Sequence, residues 1–143
     1  MIIKIAQNDD DLQKIFQLRY EVLRKPWNQP FESSYDDKEK LSINAFIEEN
    51  NQCIACGRLE ILNETTAQIR YMAVHPHYRG KGLGSKILCK LEELAREKNV
   101  SKIILHAREN ALDFYLSHSY QIVKPSHILF NSIQHYLMEK HLL

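Results

Sequence analysis

The sequence is short of glycine, and the little it has is concentrated. Of four glycines in 143 residues, Gly80, Gly82 and Gly84 fall within five positions. No repeat, low-complexity tract or Gly/Ser-rich linker divides the chain, so residues 1–143 read as one domain. Three cysteines, an odd number in a chain without secretory features, argue against a disulfide framework. Cys53 and Cys56 form a C-x-x-C, but QCIACGRLEIL reads as a strand, where residues three apart face opposite ways. No second ligand pair stands at metal spacing, and the seven histidines are scattered without an H-E-x-x-H, so no metal is expected. Neither sign of charge is in excess: 19 Lys+Arg against 18 Asp+Glu leave +1, which does not suggest nucleic acid as an obligatory partner. No apolar run is long enough to span a bilayer, and Met1 to Asp10 lacks the basic start and apolar stretch of a signal peptide. A cytoplasmic protein without a membrane partner is the expectation.

What is present is a change of period. Residues 2–6 predict a short strand. Asn8 or Asp9 can cap a helix through Leu12, Ile15, Phe16 and Tyr20, which Pro26 and Pro30 end, leaving KPWNQPFESSYDD as loop or short turns. Residues 43–49, 52–62 and 66–74 read as three strands of an antiparallel meander, the first two joined at Glu49-Asn50-Asn51. Leu83, Ile87, Leu91, Leu94 and Ala95 then mark an amphipathic helix over 82–98. A strand at 102–107, a short helix at 110–117 and strands at 119–124 and 127–138 complete an α/β layer structure with one parallel crossover.

The clustered glycines occupy the turn between strand 66–74 and helix 82–98. Glycine lets the backbone approach a ligand closely, and a helix start presents unpaired N–H groups at the positive end of its dipole. Arg79 and Lys81 add charge beside them. No register matches a P-loop, and Gly80-x-Gly82 is followed by Ser85 where a Rossmann fingerprint wants its third glycine. The whole strand–turn–helix with two cations favours a phosphate seat over a plain structural turn.

Arg79-x-x-Gly82-x-Gly84 resembles the R/Q-x-x-G-x-G/A signature of the GNAT N-acetyltransferases. Met72-Ala73-Val74-His75-Pro76 is similar to the end of that family's fourth strand. Asn110-Ala111-Leu112-Asp113-Phe114-Tyr115 through Tyr120 resembles its N-A-x-x-F-Y segment, with Ser119 standing where a glycine is usual. LRYEVLRKPW near the start and IQHYLM near the finish resemble the ElaA-like branch. The resemblance implies a single-domain α/β fold, a mixed, mostly antiparallel sheet of six to seven strands flanked by about four helices. It implies an acyltransferase that moves the acetyl group of acetyl-CoA to a primary amine of a small molecule or peptide, by direct attack through a tetrahedral intermediate. Met72, Ala73 and Val74 would lie along the pantetheine arm, with the Val74 N–H on the thioester oxygen. Arg79, Gly80, Lys81, Gly82, Leu83, Gly84 and Ser85 would hold the diphosphate. Tyr115 would be the general acid for the leaving thiolate, and Asn110 would cap the short helix and touch the cofactor.

The general base is left open. Gln68 stands where many members of the family carry a glutamate, leaving Glu60, His75, His106 and Glu109 as candidates. Acceptor recognition is expected from Arg19, Arg24, Trp27, Tyr35, Asp36, Asp37, His127 and His135, where an indole and two aspartates could attract a cation, the alternative being a surface loop anchored by Trp27. A homodimer is one open option for assembly. The alternative function is a non-catalytic acyl-CoA sensor on the same fold, which would have no need of Tyr115.

Overall fold

The structure is a computed structural model that describes residues 1–142. Seven strands form one sheet: β1 (Lys4–Ile5), β2 (Ile43–Glu49), β3 (Gln52–Ile61), β4 (Thr66–Val74), β5 (Lys102–Arg108), β6 (Gln121–Leu129) and β7 (Ile133–His141). Their order is β1-β2-β3-β4-β5-β7-β6. Only β4 and β5 run parallel, as the crossover through a helix requires. The α-helices are α1 (Asp9–Arg19), α2 (Leu83–Glu97) and α3 (Leu112–Ser117), supplemented by short π and 3-10 turns. The α/β architecture and mostly antiparallel sheet expected from the sequence are what the structure contains.

Local chemistry explains the element ends. Asn8 Oδ1 accepts the Asp11 N–H at 2.8 Å, and Asp9, Asp10 and Asp11 complement the dipole in the first turn of α1. Past Arg19 the helix loosens into a π turn, Tyr20–Arg24. A 3-10 turn then carries Pro26, and Asn28 (φ 57°) reverses the chain. The β2–β3 hairpin turns at Asn50 and Asn51, both with positive φ (53° and 64°), which suits a primed two-residue turn. The last hairpin differs from expectation. We expected the break near residues 125–126, yet β6 runs through Pro125 and the chain reverses at Phe130-Asn131. β6 is an edge strand whose register slips between Pro125 and Ile128, so the missing N–H of Pro125 interrupts little.

The sheet buries both faces. Leu83, Ile87, Leu88, Leu91 and Ala95 of α2 pack on Ala45, Ile47, Ile54, Ala55, Leu59, Ala67 and Ile69. On the other face Ile15, Phe16 and Leu18 of α1 pack on Phe46, Cys53, Cys56 and Ala73. The two cysteines were expected on opposite faces; instead they share the α1 side. The reason is a bulge: Ile47 pairs with Ala55 but Glu48 pairs with Cys53, so β3 carries one extra residue there. Both thiols are buried and reduced.

Charge is also buried under α1. Arg19 is fully enclosed and donates to Glu39 (2.9 and 3.2 Å), Asn44 Oδ1 (2.7 Å) and Ser34 O (3.1 Å). Arg58, equally enclosed, donates to Glu39 (3.0 Å), Asp36 (2.7 and 3.1 Å) and Glu60 (3.1 Å). The network ties the 31–41 segment to β2 and β3.

Candidate active site

The glycine turn has the form of an anion seat. After β4, a 3-10 turn (Pro76–Tyr78) leads to Gly80 and Gly82, with φ of 78° and 77°. Gly82 is the N-cap of α2 and brings no side chain to it. The Lys86 N–H is the first in the helix to reach an intrahelical acceptor, Gly82 O at 3.1 Å, so the amides of Leu83, Gly84 and Ser85 precede the ladder. A Cβ on Gly80 or Gly82 would meet nothing within 4 Å. Open space above uncapped amides is what a diphosphate needs, so the residues present fit coenzyme A. Arg79 and Lys81 are exposed beside it. Gly84 is conformationally ordinary; a Cβ there would lie 3.4 Å from Phe114 and 3.6 Å from Val74, where α2, α3 and β4 meet. Ser85 Oγ lies 2.9 Å from His118 Nε2, fastening the start of α2 to the end of α3.

Next to this seat the sheet opens. β4 and β5 pair only from Thr66↔Lys102 to Ile69↔Leu105. Beyond that, β4 bulges: Arg58↔Arg70 is followed by Cys56↔Ala73, so two steps of β3 oppose three of β4. Tyr71, at φ 58°, is the residue that absorbs the extra step. The His75 N–H donates to Ile54 O at 2.8 Å. In an extended strand successive amides point to opposite edges, so the Val74 N–H faces away from β3, towards the opening.

The opening continues into a cleft of about 250 Å³. Tyr115 lines it from α3. Its side chain is 7% exposed, packs edge-on against Phe114 and Tyr120, and its hydroxyl has no hydrogen-bond partner among the described residues. Burial pushes the phenol well above its usual range, so it keeps its proton at neutral pH and can donate one. Ser119, where a glycine is usual, adopts φ 71° and turns the chain after α3. Asn110 was expected to cap α3. That is corrected: the N-cap is Ala111, with no side-chain cap bond, because a 3-10 turn (Glu109–Ala111) intervenes and leaves Asn110 exposed.

The expected acceptor residues divide. Arg24, His127 and His135 line the cleft. Trp27 lies under the Arg108 guanidinium, 4.6 Å from ring to cation. Arg19 and Asp36 are tied into the buried network, Tyr35 stacks on Phe16 at 4.9 Å, and Asp37 is exposed. Of the base candidates only His106 lines the cleft, with Gln68 beside it. Glu60 is held by Arg58 (3.1 Å) and Lys38 (3.5 Å), Glu109 meets the Tyr136 hydroxyl, and His75 accepts the His77 N–H. Arg70, Tyr71 and Arg108 also line the cleft and carried no sequence signal. A single arginine at a strand end belongs to no motif. Burial, then neighbouring His127 and Arg70, lowers the His106 pKa; burial also lowers that of His135. Among the described residues no three His, Cys, Asp or Glu side chains are arranged to hold a metal.

The chain is similar to known proteins in sequence and in fold. The chain is 29% identical over 136 residues to the uncharacterized N-acetyltransferase YjcF of Bacillus subtilis (strain 168), covering 95% of this chain and 96% of that one. Its fold is similar to that of Escherichia coli ElaA (TM-score 0.83, 18% identity, 98% and 99% coverage). It is similar also to an aminoglycoside 6'-N-acetyltransferase complexed with coenzyme A (TM-score 0.82, 15% identity, 100% and 98% coverage). The sequence profile of the Acetyltransferase (GNAT) family matches residues 10–120, from the start of α1 to the turn after Tyr115. That match spans the bulged β4, the start of α2 and Tyr115, and the chain belongs to the GNAT acetyltransferase family.

Proposed function

We propose that this chain, acting as one domain in the cytoplasm, transfers the acetyl group of acetyl-CoA to a primary amine of a small molecule or peptide. The single observation that carries the reading is the Tyr115 hydroxyl, protonated, without a protein partner, and lining the same cleft as the bulged β4. A module that merely bound acyl-CoA would have no use for it.

Acetyl-CoA, when bound, supplies the activated acyl group. The amides of residues 79–85 hold the diphosphate, with Arg79, Lys81 and Ser85 at its rim, and the exposed Asn110 is a further cofactor contact. Met72, Ala73 and Val74 align the pantetheine arm along the free edge of β4. The Val74 N–H offers a donor where negative charge develops on oxygen. Tyr115 gives its proton to the leaving sulfur. Gln68 cannot take a proton from the amine. The cations around the cleft lower the pKa of a bound ammonium, so the amine can lose its proton to water or to neutral His106.

The test is thiol release from acetyl-CoA with a panel of amines, beside calorimetry with acetyl-CoA. Saturable binding with amine-dependent thiol release supports the enzyme; saturable binding with no release by any amine returns the reading to a sensor.

A further inference from the structure

The walls of the cleft are cationic, and among the described residues the only carboxylate that meets one of its arginines is Asp36, at Arg70. Arg24, from the π turn after α1, and Arg108, at the end of β5, both donate to one acceptor, Leu23 O, at 3.0 and 3.1 Å. Arg24 also donates to Ser33 O. Neither guanidinium meets a carboxylate among the described residues. Arg24 is held over the rings of Tyr71 (5.7 Å) and Phe130 (5.5 Å), and Arg108 over Trp27. Arg70 stands at the same cleft, sharing Asp36 with Arg58 through a long 3.5 Å contact. His106, His127 and His135 complete the wall, with His127 and His135 stacked at 4.3 Å. The residues lining the cleft include no aspartate or glutamate.

Two half-buried guanidiniums side by side repel each other and have given up water. The Arg108 guanidinium is weakened accordingly, to about 10, by burial first and Arg24 second. Elsewhere this chain gives its buried arginines carboxylate partners: Arg19 has Glu39, and Arg58 has Glu39, Asp36 and Glu60. An uncompensated pair in the cleft fits a counter-charge that arrives with the ligand, and the guanidinium fork suits a carboxylate or phosphate.

Resting on the acetyltransferase reading above, we propose that the acceptor is a small amine bearing its own carboxylate or phosphate, held by Arg24 and Arg108 with Arg70 at the rim. The cavity size suits a small metabolite, since ligand clefts run at roughly 300–1,000 Å³ and this one, about 250 Å³, lies just below that range. Polycations such as aminoglycosides and polyamines are repelled, although aminoglycoside acetyltransferases share the fold.

The test uses matched amines that differ only in the anion: tyrosine against tyramine for a carboxylate, glucosamine 6-phosphate against glucosamine for a phosphate. We expect the anionic member of at least one pair to have kcat/KM ten-fold or more above its partner, and spermidine and kanamycin to be poorer still. Arg24→Gln and Arg108→Gln should each raise KM for the anionic amine about ten-fold at unchanged acetyl-CoA affinity, which also shows that the variants are folded. Arg108→Lys should recover part of the loss. Neutral partners matching or exceeding the anionic ones in both pairs would overturn the proposal, as would spermidine or kanamycin proving the best acceptor. If acetyl-CoA binds but no amine is turned over, the catalytic reading fails on its own. Calorimetry of the same pairs on CoA-saturated protein then decides the anion site: preferential binding of an anionic member upholds it, and equal or absent binding refutes it.

Discussion

Gly57 lies directly beneath Met72: a Cβ on Gly57 would come within 2.4 Å of the Met72 sulfur, and within 2.9 and 3.0 Å of Ile87 and Leu91. Gly57 is opposite the bulge, so its lack of a side chain lets β4 bend while α2 stays pressed on the sheet. Gly57→Ala should destabilise the fold by about 1–3 kcal/mol, as overpacking does. It should also weaken acetyl-CoA binding, because Met72 belongs to the proposed pantetheine strand. Urea unfolding and calorimetry check both; unchanged values in each would mean that the bulge adjusts freely.

Gly82 tests the anion seat without crowding any protein atom. Its φ of 77° makes any Cβ strained, yet the space is open. Gly82→Asn, which tolerates left-handed backbone, should fold nearly normally, whereas Gly82→Ala should lose about 1–2 kcal/mol. Gly82→Glu should abolish acetyl-CoA binding, because a carboxylate would occupy the place of the diphosphate. Retained affinity in the glutamate variant, measured by calorimetry, would remove the seat from residues 79–85.

Tyr115→Phe removes a hydroxyl that has no hydrogen-bond partner among the described residues. Stability and acetyl-CoA affinity should stay close to the parent, while kcat falls by about 10²–10⁴-fold, the usual worth of a positioned general acid. A variant with parental kcat would hand the proton to water.

Glu39 is the acidic hinge between Arg19 and Arg58. Removing its charge leaves Arg19 buried without a carboxylate, so Glu39→Gln should cost about 3–5 kcal/mol in urea unfolding, as for other broken buried pairs. Activity per folded molecule should change little, since Glu39, Arg19 and Arg58 do not line the cleft.

The cleft histidines make stability depend on pH. His106 and His135 are held below the ordinary imidazole value of 6.5, chiefly by burial and then by His127 with Arg70 or Arg108. Protonation is therefore easier in the unfolded chain. Their contribution is complete above about pH 6.5 and is lost as pH falls from there through the lowered values. Asp36, also lowered, acts only in the acid range beneath 3.8. The thermal midpoint should fall between pH 7 and 5, and His106→Gln with His135→Gln should flatten that slope. An unaltered slope would place its origin elsewhere.

The sequence by itself determined the framework. Alternation and helical spacing gave the strands and α2, because burial of one face demands those periods. The glycine turn before α2, on which the proposed anion seat rests, was legible because a turn of a few adjacent residues is a local structure. Tyr115 was legible for the same reason: its segment is contiguous. Tertiary structure alone decided the rest. The bulge at Tyr71 depends on Gly57 across the sheet, and the bulge at Cys53–Cys56 depends on pairing with β2. The charge of the cleft is the largest such case. Two aspartates near Trp27 suggested attraction for a cation, but folding gives Asp36 to Arg58 and Arg70 and leaves Asp37 exposed outside. Arg24, Arg70, Arg108 and three histidines, drawn from five separate segments, then face one cavity. Electrostatics acts through space, and a sequence lists charges only along the chain.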